Sequence, residues 1–243
     1  MSPSAPPSAS PAVVERARSG WPAWRAARLA AVTAPTGNLA LTETRWPAPG
    51  EPAARPPGGL PGGVTVTTLQ RRHLTTGAVE HGLRVWDPHS PAIAHFETIE
   101  AFPFDPAWVV EARFTAAAEP RLVPFEHLRD NGLTRDLAVP GDIRFTLDGV
   151  EHSLDAFDDD GTLLLVFGDR TNGRDSYGGG RFLKVTRGAA EDTVVLDFNR
   201  AFVPPCGFSG QYNCPLPPRQ NRFDRAIEAG ERFPVFRDGF QVH

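Results

Sequence analysis

The stretch TLLLVFGDRTNGRDSYGGGRFLKVTRGAAEDTVVLDF, residues 162–198, decides the fold. It holds three short apolar runs, TLLLVFG (162–168), RFLKV (181–185) and TVVLDF (193–198), separated by Gly, Asn and Asp. Runs of that length between turn-forming residues are strand signals. Working outward, the same signal recurs in LALTETRW (39–46), VTVTTLQ (64–70), LRVW (83–86), WVVEARFT (108–115) and DIRFTLD (142–148). Asp148-Gly149 has the chemistry of a hairpin turn. The spacing predicts a mainly β domain, an antiparallel sandwich or partly closed barrel. Helix is expected in an N-terminal cap over residues 12–35, where VVERARSGWPAWRAARLAAV (13–32) reads as two short pieces parted at Pro22. Trp21, Trp24, Arg25, Arg28 and Leu29 fall on one surface of the second piece, suited to packing across a sheet. The Ser/Pro/Ala-rich residues 1–11 are expected to be a disordered tail. Residues 12–243 should form one domain, with a Pro/Gly-rich loop over 47–63.

With 243 residues, 40% of them hydrophobic, the chain is long enough for one generous core. The net charge of −4 is spread over mixed signs, with no basic stripe, so nucleic acid is not an expected partner. No run of about 18 apolar residues occurs, so no membrane span is expected. The first residues lack the features of a secretory signal, which points to a cytoplasmic protein. In that compartment the two cysteines should be thiols, although Cys206 and Cys214 are near enough in sequence to pair.

Those cysteines lie in DFNRAFVPPCGFSGQYNCPLPPRQN, residues 197–221, directly after a strand signal. Proline donates no backbone hydrogen bond and fixes its own φ, so this is a stiff connection with one path. A seven-residue gap between cysteines is loose for zinc ligands, and no histidine lies nearby, so no metal is expected. GxSxG, HExxH and P-loop patterns are absent, and Gly178-Gly179-Gly180 precedes a strand rather than a helix. No nucleotide or other cofactor is implied.

Three polar groupings near strand ends are the candidate site. They are Arg84, Asp87 and His95; then Asp169, Thr171, Tyr177 and Arg181; then Asp197, Asn199 and Asn221. Residues of these types at strand ends often satisfy turn backbones. Brought to one mouth, they would supply an anion clamp, acids or bases, and orienting amides.

The runs FGDRTNGRDSYGGGRFL, VVLDFNRAFVPPCGF, CPLPPRQNRF and IEAGERF resemble domain of unknown function family 1684. That family carries an F-x-D-x-T, Y-x-x-G-R, D-F-N-x-A, N-P-x-C, C-P-x-P-P-x-x-N and A-G-E pattern. A weaker likeness runs upstream through FETIEAFPFDPAWVVEARF and RVWDP to the WRAAR helix. The resemblance implies one domain and one shared constellation of residues, and no activity. Val203 and Gln220 depart from the pattern, where Asn and Glu are usual, which points to a modified site.

Together these features suggest an enzyme acting on a small molecule by hydrolysis, isomerisation or cyclisation. Tyr177, Asp197 or His95 would move protons, while Arg84, Arg181, Asp169, Asn199 and Asn221 would bind substrate. A ligand-binding or scaffold protein built from the same residues is the alternative. Oligomeric state is not legible.

Overall fold

The structure, a computed structural model, describes residues 9–48, 51, 53–72, 78–124, 136–147, 149–159, 161–187, 190 and 192–242. Residues 1–8, within the expected tail, and Asp148 of the expected turn lie outside that set. The placed chain begins at Ala9, which is buried and donates its N–H to the carbonyl of Val109.

Pro11–Val32 forms α1, which continues unbroken through Pro22 and so replaces the two pieces expected. Proline removes the hydrogen bond to the carbonyl four residues earlier, that of Arg18. Pro22 and Arg18 both lie on the exposed side of the helix, where water can satisfy that carbonyl. The opposite face docks as its spacing predicts: Trp21 Nε1 donates to the carbonyl of Asn199 at 3.1 Å, and Leu29 packs in an apolar cluster with Val32, Leu39 and Phe208.

Eleven strands follow among the described residues. β1 (Leu41–Arg45), β2 (Thr65–Arg72) and β3 (Val79–Trp86) form a three-stranded sheet with β3 central. β4 (Phe96–Ala101) pairs with β11 (Glu231–Phe236). The remaining six, β5 (Val109–Pro124), β6 (Asp136–Leu147), β7 (Val150–Asp159), β8 (Thr162–Phe167), β9 (Arg181–Arg187) and β10 (Thr193–Asp197), close into an antiparallel barrel. The Leu147↔Val150 pair closes the β6–β7 hairpin across the two residues expected to turn it. A short second helix, α2 (Pro91–His95), is capped by Ser90, whose Oγ accepts from the Ile93 N–H. Strands β4 and β11 carried no signal that sequence reading used. Pro234 and the bulged register between them break the alternation.

The barrel resolves the choice between sandwich and barrel. Leu163, Leu165 and Phe167 of β8 point into one core with Leu183 and Val185 of β9, Val194 and Leu196 of β10, and Ile143 and Phe145 of β6. The alternate residues Leu164 and Val166 pack outside, against Val139, Phe157 and Phe182. Burial on both faces explains the unbroken apolar run TLLLVF. Six strands make a barrel narrow enough for side chains to fill its interior. Register places the ends of three strands together: Phe167 pairs with Arg181, and β10 runs back beside β9 to finish at Asp197. The loops that carry the family-like motifs all leave from this end.

Candidate functional site

Arg181 opens β9 with no exposed surface. Its Nη2 donates to Asp169 Oδ2 at 2.7 Å, to the carbonyl of Ile227 at 2.7 Å and to Thr171 Oγ1 at 3.4 Å. Its Nη1 donates to the carbonyls of Ala229 and Glu231. Phe102 and Phe167 lie against the guanidinium. Burial draws the Arg181 pKa down, and the Asp169 carboxylate opposes that shift. Asp169 is engaged too, with Oδ1 accepting from the Thr171 and Ile227 N–H groups. The pair therefore ties the loop after β8 to the segment that enters β11. A ligand has no route to this guanidinium, which corrects its expected place as an anion clamp.

The same pattern holds for both asparagines. Asn221, fully buried, accepts from the Asp155 N–H at 2.8 Å and donates to the carbonyls of Asp155 and Val166. Asn199 accepts from the Asp105 N–H at 2.9 Å and donates to the Asp105 carbonyl and to Asp197 Oδ1. Each amide acts as a staple, Asn221 wholly to backbone and Asn199 to the Asp105 backbone and the Asp197 carboxylate.

The three expected proton carriers stand in separate settings. The Tyr177 hydroxyl reaches Cys206 Sγ at 3.5 Å and Cys214 Sγ at 3.8 Å, and burial holds its pKa well above the phenolic range. Asp197 Oδ1 accepts from the backbone and side chain of Asn199. Its Oδ2 lies 3.2 Å from Arg200 Nε, close enough for ion pairing but off the hydrogen-bonding line. Burial raises the Asp197 pKa, with Asn199 and Arg200 opposing. His95 is half-exposed, stacked on Phe240 at 4.9 Å and 3.5 Å from Asp238. Arg84, on β3, lies over the Tyr212 ring. The ends of β8, β9 and β10 lie together, but Arg84 belongs to a separate sheet and these side chains stand apart.

What that end of the barrel does form is an open cleft of about 780 Å³. Gly168, Asp169, Arg170 and Asn172 make one wall, Gly178 and Gly180 a second, and Leu216 to Asp224 the third. Leu216 gives it apolar surface, with the buried Pro217 and Phe223 behind it. The walls are fixed. Phe223 N–H donates to the Gly168 carbonyl at 2.8 Å, and Asn172 Oδ1 accepts from the Asp169 N–H at 2.6 Å. Gly180 has φ +88, and a Cβ there would meet the Phe167 carbonyl at 2.7 Å, so only glycine fits.

Three guanidiniums line this cleft. Arg170 pairs with Asp224, and Arg222 Nε donates to the Pro217 carbonyl at 2.9 Å. The exposed Arg219 side chain has no partner among the described residues, and no carboxylate pairs with Arg222 there. Sequence reading missed both. Their signal was the repeated arginine in PPRQNR, which holds an exposed cation on each side of the buried anchor Asn221. Among the described residues no group of three or more His, Cys, Asp or Glu is placed to hold a metal.

The remaining motif residues are internal as well. Glu231 of A-G-E is buried and takes Arg28 through both oxygens at 3.0 Å, with Arg25 at 3.6 Å and the Val203 N–H at 2.9 Å. Val203 uses its backbone for this, while its side chain joins an apolar cluster. The departing Gln220 donates to Asp155 Oδ1 at 3.3 Å.

No curated protein matches the sequence. A solution NMR structure of an uncharacterized protein of Haloarcula marismortui is similar at 35% identity, over 56% of this chain and 77% of that one, with a TM-score of 0.47. The family model described as "Protein of unknown function (DUF1684)" matches residues 94–232, which takes in every motif from Phe167 to Glu231 but not RVWDP or the WRAAR helix. The chain belongs to that family.

Proposed function

We propose that the protein binds a small organic anion in the cleft at the end of the barrel. The observation that carries this reading is Arg219 and Arg222 facing one apolar-sided cavity without carboxylate partners among the described residues. Guanidiniums suit carboxylate and phosphate through paired N–H donors. Leu216, half-buried at the rim, adds apolar surface for a non-polar portion of the ligand. Binding is favoured over catalysis because both carboxylates lining the cleft are already paired, Asp224 with Arg170 and Asp169 with Arg181 and two backbone amides. A general acid or base needs a free face within hydrogen-bonding reach of substrate.

The test uses phenyl phosphate and benzoate as probes and phenol as the neutral control, followed by calorimetry. Saturable binding of an anionic probe, lost in Arg219→Ala/Arg222→Ala, supports the reading. Equal responses to phenol and to the anions would count against it.

A further inference from the structure

We infer that Cys206 and Cys214 form an oxidisable dithiol, converted to a disulfide by hydrogen peroxide with the Tyr177 hydroxyl as its proton donor. The inference stands apart from the cleft. Both are buried thiols rather than a disulfide, and their sulfurs are 2.8 Å apart, within about 1 Å of a bonded pair. They sit in an apolar cluster with Ala40, Leu41, Trp86 and Tyr212.

The phenol is built toward them. Its hydroxyl donates to Cys206 Sγ and lies within hydrogen-bonding reach of Cys214 Sγ, and sulfur in a thiol is a weak acceptor. Glycines clear space on both sides of the ring. A Cβ at Gly179 would lie 2.7 Å from Tyr177 Cε1 and 3.3 Å from Cys214 Sγ, and one at Gly207 would lie 3.3 Å from Tyr177 Cε2. Burying a hydroxyl against weak acceptors is costly unless the acceptor becomes charged. A thiolate accepts a much stronger, charge-assisted bond, and the thiolate is the form that attacks peroxide. Burial first, and the neighbouring cysteines, raise the Tyr177 pKa, so the group stays a neutral phenol able to donate a hydrogen bond.

The chemistry balances in two steps. One sulfur attacks a peroxide oxygen: an S–O bond forms, the O–O bond breaks, and the departing hydroxide takes a proton and leaves as water. The second sulfur then attacks the resulting sulfenic acid. An S–S bond forms, the S–O bond breaks, and hydroxide leaves protonated by Tyr177, which recovers its proton from the second thiol. The protein loses two electrons and two protons, and one peroxide becomes two waters.

Both cysteines lie on one tryptic peptide, Ala201–Arg219, so the readout is direct. The native protein is treated with hydrogen peroxide, alkylated after denaturation, digested and weighed. The expected product is that peptide unalkylated and about 2 Da lighter than the dithiol, restored by a reducing dithiol. Cys206→Ser and Cys214→Ser should instead stop at a sulfenic acid trappable by dimedone in at least one case. Tyr177→Phe should fold and slow thiol loss about tenfold, a change in rate that a merely structural tyrosine would not produce. Two outcomes would overturn the inference. One is both thiols surviving peroxide that oxidises free glutathione. The other is stoichiometric zinc or copper on the purified protein that holds both thiols against alkylation.

Discussion

Arg181 and Asp169 face each other at 2.7 Å with neither side chain exposed to solvent. A buried pair of this kind adds little over a packed apolar pair, yet losing one member strands the other at a cost of about 3–5 kcal/mol. Arg181→Lys keeps the charge but cannot reach Asp169, Ile227 and Ala229 together. A loss of about 2 kcal/mol is expected, seen as a fall in Tm of roughly 4–8 °C for a chain of this size. Anion binding per folded molecule should not change.

Glu231 draws α1 onto β11 through Arg25 and Arg28. Glu231→Gln leaves two partly buried guanidiniums without their carboxylate. We expect about 3 kcal/mol of destabilisation in a urea melt, and loosening of α1 visible as faster amide exchange over Pro11–Val32.

Gly230 has φ +80, and a Cβ there would lie 2.6 Å from the Ala201 carbonyl and 2.8 Å from that of Phe198. The left-handed backbone alone costs an L-residue about 1–2 kcal/mol. Gly230→Ala should therefore lose at least about 2 kcal/mol, whereas Gly149→Ala, with φ +77 and open space around it, should lose only the backbone cost. Melting curves of the two variants compare strain with and without collision.

Burial raises the Asp197 pKa above the usual carboxylate value. For an acid shifted in that direction the folded state holds its proton longer than the unfolded chain does. Stability from this group is therefore highest below the unfolded pKa and declines as pH rises through the folded pKa. Asp197→Asn removes the buried charge while keeping Oδ1 as an acceptor for Asn199. The Tm of the variant relative to wild type should rise between about pH 4 and pH 7. A constant difference across that range would remove the cause assigned here.

Much of the barrel was legible because its strands are short apolar runs with turn residues between them. The unbroken run TLLLVF even reports burial on both faces. Strand β11 was not legible, since ERFPVF interrupts its pattern with Pro234 and a bulge. Pro22 misled because α1 runs through it: Pro22 and Arg18 lie on the exposed side, where water can take the carbonyl that loses its partner. At the site, sequence could say that Asp169, Arg181, Asn199 and Asn221 matter, but not why. Residues that anchor backbone and residues that bind ligands are drawn from the same polar types. Only three-dimensional burial separates Arg181, enclosed by carbonyls, from Arg219, exposed on the cleft.

That separation is the central claim, and one measurement addresses it directly. Phenyl phosphate is titrated calorimetrically into wild type, Arg181→Lys and Arg219→Ala/Arg222→Ala, with the folded fraction of each measured in the same buffer. The account predicts wild-type affinity in Arg181→Lys despite its lower Tm. It also predicts at least a tenfold loss in Arg219→Ala/Arg222→Ala at unchanged Tm. Affinity lost in Arg181→Lys and kept in the double variant would contradict it.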